Sequence, residues 1–199
     1  MKKMFLFFWA MALLWGCNSK KDYADVFKDP IRYCKTVYQL NGVVMGNNFS
    51  PIVASRNYLY ANVAAYEVIA AGYPGKYRSL GGQLNGLGTL PHPAPNQKIN
   101  FEFAALLAFC KLGTSVTFPE GSMNEYVDSL KKLAEDHGMP SDVFDNSVVF
   151  SDTISNAILS WSKKDNYAQL RSASKYTVTN EPGTWVPTDG NEYKTKDRP

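Results

Sequence analysis

Residues 52–71 run for twenty positions without an interior glycine or proline, and this run constrains the fold more than any other part of the chain. Ser50 stands at the N-cap position, Pro51 suits a first helical residue whose N–H would have no partner, and Gly72-Tyr-Pro-Gly75 stops the helix. The small residues Ala54, Ala61, Ala64 and Ala65 leave room for a neighbouring helix to approach closely, with Tyr58, Tyr66 and Ile69 filling the gaps between. A helix of this kind is central and buried. The remainder of the chain therefore has to supply the helices that cover it.

Helical spacing of apolar residues recurs along most of the sequence. Asp29-Pro30 opens a helix that runs to about residue 45, where Gly46-Asn-Asn48 ends it. Residues 72–99 hold six glycines and four prolines, which forbids a long regular element and indicates a loop crossing one end of a bundle, packed by its own side chains or functional. Asn100 then caps a helix over 101–114, apolar almost all round and so interior. Pro119-Glu120 is expected to begin a surface helix, with Tyr126, Leu130 and Leu133 on one face, Asp128, Lys131, Lys132, Glu135 and Asp136 on the other, and Gly138 at its end. Pro140-Ser-Asp142 starts a last helix through Val143, Phe144, Val148, Ile154, Ile158 and Trp161, closing with Lys163-Lys164 where the helix dipole favours cations. No useful strand alternation and no solenoid repeat is visible. The expected class is all-α: a bundle of about five helices with a long Gly/Pro loop and an extended C-terminal arm. The arm keeps Tyr167, Tyr176 and Trp185, more aromatic surface than a purely solvated tail carries, and is expected to pack on something.

The N-terminus reads as an export signal. Met-Lys-Lys precedes a charge-free apolar run over 4–15 that is shorter than the roughly 20 residues a spanning helix needs, and Gly16-Cys17 follows. Leu14-Trp15-Gly16-Cys17 resembles a bacterial lipobox, which implies cleavage before Cys17, lipidation of its thiol and a membrane partner through that anchor; Ser19, in place of aspartate, favours the outer membrane. The organisation expected is a lipoprotein signal peptide over 1–16, a tether over 17–30, a helical domain over 31–163 and an arm over 164–199. Cys34 and Cys110 sit in apolar helical patterns and are expected at two separate core positions, not in a disulfide. The net charge of +3 over 199 residues forms no long basic stripe, which gives nucleic-acid binding no support.

The segment SPIVASRNYLYANVAAYE (50–67), taken with WSKKDNY (161–167), Arg171, Tyr176 and GTWVPT (183–188), resembles the helical N-terminal region of Bacteroidetes-like lipoproteins in the vanadium-dependent haloperoxidase and type 2 phosphatidic acid phosphatase superfamily. The resemblance covers roughly residues 20–188. It implies a helical bundle whose active site holds phosphate or vanadate between cationic donors, because a multiply charged oxyanion needs several Arg and Lys partners and an imidazole to act on it. The superfamily places a lysine seven residues before an Arg-Pro pair, then a Ser-Gly-His, then an arginine with a histidine soon after. Here Arg198-Pro199 is the one Arg-Pro pair, Asn191 stands seven before it, Lys194 and Lys196 are off-register, and no Ser-Gly-His occurs. His92 lies between two prolines in the loop, and His137 complements a helix C-terminus. Gly81-Gly82-Gln-Leu-Asn-Gly-Leu-Gly88 lacks the Lys-Ser/Thr ending of a phosphate loop. No catalytic, cofactor-binding or metal-binding residue is therefore assigned.

Three charged residues stand out as structural or cavity-lining. Arg56 and Glu67, eleven apart on the long helix, point to similar sides and either face a polar cavity or find partners on another helix. Arg171, in the arm, could help bind an anion in a complete enzyme. The sequence reads as the N-terminal scaffold of an exported haloperoxidase- or phosphatase-like lipoprotein, truncated before its catalytic half and not catalytic alone, with vanadate or phosphate bound only in the full-length relative. The alternative is a surface-anchored helical module that binds a glycan or a protein. Replacing the anchoring thiol tests the targeting reading: Cys17→Ser should abolish incorporation of labelled palmitate and release the chain from the membrane fraction.

Overall fold

In the computed structural model, residues 22–166, 169, 174, 176–179 and 181–186 are described, and among them stand six α-helices and no strand. The helices are α1 (Tyr23–Lys28), α2 (Pro30–Gly46), α3 (Pro51–Gly72), α4 (Phe101–Val116), α5 (Asn124–Asp136) and α6 (Ser141–Ser162), the last followed by a 3-10 turn, Lys163–Asp165. The all-α class is thus observed, with one helix more than expected.

The helix ends follow local chemistry. Asp29 caps α2, its Oδ1 accepting from the Ile31 N–H at 3.0 Å just ahead of Pro30 in the first turn. Asn100 caps α4 by accepting from the Phe103 N–H at 2.8 Å, while its own N–H donates to Ser147 Oγ of α6 at 2.9 Å. One residue therefore both starts the central helix and fixes its neighbour. Ser50 occupies the N-cap position of α3 but its hydroxyl makes no capping bond; the Ala54 N–H goes to the Ser50 carbonyl at 2.8 Å.

The core is built around α4, which is buried on nearly every side and packs chiefly on α3 and α6. Ala61, Ala64 and Ala65 of α3 are buried against this neighbour, as their size requires. Gly113 of α4 does the same toward α2: a Cβ there would stand 3.1 Å from both Leu40 and Met123 side chains. Toward α6 the small residues are Ser147, Ser151 and Ser155, all 2% exposed or less, whose hydroxyls donate to carbonyls three or four residues back on the same helix. Buried hydroxyls satisfied in this way let two helices close up without stranding a polar group.

Three expectations need correction. The tether expected over 17–30 contains α1, because Phe27 and Val26 find the core, Phe27 stacking on Phe103 at 4.9 Å between ring centroids. The surface helix begins at Asn124 and not at Pro119-Glu120, since Gly121 adopts φ +78° in an intervening turn that delivers Met123 into the core. Cys34, expected in the core, lies exposed on α2, on the side that turns away from α4. Cys110 is fully buried on α4, and burial pushes its thiol up to about 12. The residues before 22, Cys17 among them, lie outside the described residues.

The α3–α4 junction sets a sharp test. A methyl group on Gly72 would overlap the Phe101 ring, whereas one on Gly42, in the exposed middle of α2, meets nothing within 4 Å. Gly72→Ala should cost about 1–3 kcal/mol, and Gly42→Ala should stabilise by about 0.5–1 kcal/mol, both read from urea unfolding.

Candidate functional site

The helices position two charged groups of α3 very differently. Glu67, near the C-terminal end, is only 2% exposed. Its Oε2 accepts from Ser79 Oγ at 2.7 Å and its Oε1 from the Leu80 N–H at 2.6 Å, and Ser79 Oγ in turn accepts from the Gly81 N–H at 3.0 Å. The neighbouring Tyr66 hydroxyl donates to the Arg78 carbonyl at 2.8 Å. A buried carboxylate is tolerable only when its lone pairs are filled. Here loop donors fill them, so the Gly/Pro loop is latched to the end of α3. Beyond the latch Leu87 and Leu90 are buried, the Gly82 N–H bonds to the Leu87 carbonyl at 2.7 Å, and Asn85 accepts from the Trp161 indole at 3.0 Å. Gly82 and Gly86 take φ of 75° and 73°, which lets this segment turn back on itself. The loop packs by its own side chains.

A cavity of about 420 Å³ opens beside the latch, bordered by Glu67, Arg78, Ser79, Leu90 and His92. His92 and Arg78 are exposed at its rim. It holds one carboxylate already committed to the loop, a poor neighbour for an oxyanion.

Arg56, two-thirds buried near the start of α3, serves the opposite end. Its Nη1 lies 3.8 Å from Asp165 Oδ1, in the turn after α6, and the Tyr60 hydroxyl donates to the other oxygen of the same carboxylate. Tyr60 also meets Trp161 edge-on at 5.8 Å. Arg56 and Glu67 therefore do not share one polar cavity: one ties the end of α6 to α3, the other ties the loop. His137 caps the C-terminus of α5. Arg171 lies outside the described residues.

A cleft of about 580 Å³ runs between α1, α2, α3 and α4 and is lined mainly by Phe27, Tyr33, Ile69, Tyr77 and Leu106. The Tyr33 hydroxyl donates to Asn62 Oδ1 at 2.6 Å, and burial raises it to about 12. Glu102 at the rim accepts from Tyr73, whose hydroxyl that bond and burial raise to about 12. Both phenols stay protonated and act as donors at neutral pH.

Phosphate or vanadate would require several converging cations. Among the described residues the interior-facing arginine is balanced by Asp165 and the interior carboxylate is Glu67, so these residues do not fit such a group. Among the described residues no cluster of three His, Cys, Asp or Glu is assembled for a metal, and no helix is long and apolar enough to cross a membrane. Within the described part of the arm, Tyr176 meets Trp185 at 5.9 Å and donates to its carbonyl at 2.9 Å, and the two are 53% and 59% exposed. Tyr167 lies outside the described residues.

The solved structure of a bacterial vanadium-dependent iodoperoxidase matches this chain with a TM-score of 0.71 and 38% sequence identity, over 80% of this chain and 38% of that one. The chain thus spans well under half the length of that protein. No protein-family model and no curated protein matches the sequence.

The latch is testable without any ligand. Glu67→Ala strands the Leu80 N–H and should cost about 1–3 kcal/mol, with faster hydrogen exchange at residues 79–90. Glu67→Gln keeps a carbonyl acceptor and should cost less.

Proposed function

We propose that this chain, a relative of the vanadium-dependent haloperoxidase and type 2 phosphatidic acid phosphatase superfamily, is the helical scaffold portion of an exported lipoprotein of that kind, with its oxyanion-binding residues supplied by polypeptide outside this sequence. The observation that carries the reading is the pairing of a close match over 80% of the chain with a sequence that lacks Ser-Gly-His and the lysine register before Arg-Pro. The two interior charges of α3 support it, because both are engaged in holding the bundle together. In this reading α3, α4 and α6 form a wall for a catalytic half, and Cys17 tethers the assembly to the cell envelope at the outer membrane.

In the complete protein the bound group would be vanadate, serving peroxide-dependent halide oxidation, or the phosphate of an ester undergoing hydrolysis, and the residues that would hold it lie outside this sequence. What this chain contributes is shape: it orients the bundle and excludes water from one side of it. A second reading, a surface-anchored module binding a glycan or a protein, draws on the exposed Tyr176–Trp185 pair, since exposed aromatic faces are effective platforms for sugar rings and apolar partners.

The purified chain should show no oxidation of iodide by peroxide with vanadate present, no release of p-nitrophenol from its phosphate ester, and no line broadening in a vanadium NMR titration. Turnover or stoichiometric vanadate binding by this chain alone overturns the scaffold reading. Saturable binding on a glycan array, lost in Trp185→Ala, favours the second one.

A further inference from the structure

The cleft between α1, α2, α3 and α4 measures about 580 Å³, inside the range of roughly 300–1,000 Å³ that small-molecule sites occupy. Phe27, Ile69 and Leu106 give it an apolar interior, and the polar groups beside them are engaged within the protein. The Tyr33 hydroxyl donates to Asn62 Oδ1 at 2.6 Å, Asn62 Nδ2 donates to the Tyr58 carbonyl at 2.7 Å, and the Tyr66 hydroxyl donates to the Arg78 carbonyl at 2.8 Å. A guest rich in hydroxyls, such as a sugar, would give up its water and find few partners in return. The body of a guest that fits this cleft is therefore apolar.

Charge narrows the class further. Two carboxylates line the cleft, Asp29 and Glu102, against one cation, Lys28, which is exposed and ion-pairs with neither of them. Asp29 Oδ1 accepts from the Ile31 N–H and Glu102 Oε1 from the Tyr73 hydroxyl, while the second oxygen of each has no hydrogen bond among the described residues. Glu102 stands in the first turn of α4, where the helix dipole favours negative charge. Three tyrosine rings, Tyr33, Tyr66 and Tyr77, share the lining. Their faces attract a cation that comes within about 6 Å. Tyr77 already does so within the chain, with Lys76 Nζ 5.1 Å from its ring centroid. Open carboxylate oxygens beside tyrosine faces favour a positive group on the guest.

We propose that this cleft binds a small organic cation, an ammonium group carried on an aromatic or branched hydrocarbon body, with the body among Phe27, Ile69 and Leu106 and the ammonium beside Glu102. Every residue of the site belongs to this chain, so the inference stands apart from the scaffold reading above.

The probe is benzyltrimethylammonium, titrated by calorimetry into the full 199-residue chain beside phenylacetate, an anion of similar size. The cation should bind saturably with a Kd on the order of 0.1–1 mM, and phenylacetate at least about tenfold more weakly. Glu102→Gln keeps an acceptor for Tyr73 and removes the charge, and Tyr77→Leu keeps apolar bulk and removes the ring face. Each should weaken the cation about three- to tenfold and shift melting by less than about 3 °C. In the unaltered chain, nuclear Overhauser contacts from the probe's methyl groups to the Tyr77 ring and the Ile69 methyls should place the site without any substitution. The absence of saturable binding up to about 10 mM overturns the proposal. Phenylacetate binding as tightly as the cation overturns the charge selection and the proposal with it. Cation binding undiminished in both variants, with contacts to other residues, places the guest elsewhere and overturns it equally.

Discussion

The close approach of α3 to α4 is the contact on which the rest of the molecule depends. Large side chains on both helices would hold their axes apart and leave voids that the short neighbouring elements could not fill. Alanines at 61, 64 and 65 remove that obstacle, and Gly72 removes it again where α3 ends against Phe101. Once the pair is closed, α4 has its other faces free for α6 and α2, where buried serines and Gly113 repeat the same solution. Aromatic residues then fill what remains: Phe27 and Phe144 both meet Phe103, Tyr33 meets Phe109, and Phe150 meets Phe101.

Burying so many small residues brings backbone and polar groups into the interior, and several of these groups carry bonds of their own. The Asn100–Ser147 link, the serine hydroxyls of α6 and the Thr36 hydroxyl, which donates to the Arg32 carbonyl, all direct their polarity back to nearby helix ends or carbonyls. Glu67 is the exception in kind, because its charge is answered by neutral donors from a loop and not by a cation. Charge inside this bundle therefore serves to place chain segments. That is consistent with a wall that supports chemistry and does not perform it.

Much of this architecture was legible in the sequence, because long helices with caps and breakers announce themselves locally. The positions of α2, α3, α4 and α6 follow from Asp29-Pro30, Ser50-Pro51, Asn100 and the glycines beyond. Part of what escaped was decided by distant contacts, and part by a local turn. Six residues of α1 are too few to show a period, and only the presence of Phe103 makes Phe27 a core residue. Gly121 diverts the chain before α5 where Pro119-Glu120 alone looked like a helix start. The partners of Glu67 could not be read either, since the Leu80 donor is a backbone N–H that has no letter in the sequence. The serine row of α6 was visible as letters at fourfold spacing and could have been recognised as a packing face.

That backbone donor has a consequence for how such proteins diverge. Glu67 reads the path of the loop at Leu80 through an amide that every residue except proline possesses, and Trp161 reads it at Asn85 through a carbonyl that every residue possesses. The side chains of Gln83 and Asn85 are exposed, so drift in their identity leaves both grips intact. Apart from Ser79, the buried Leu87 and Leu90 and the turn-forming glycines, the outward side chains of this segment can change without loosening the bundle beneath.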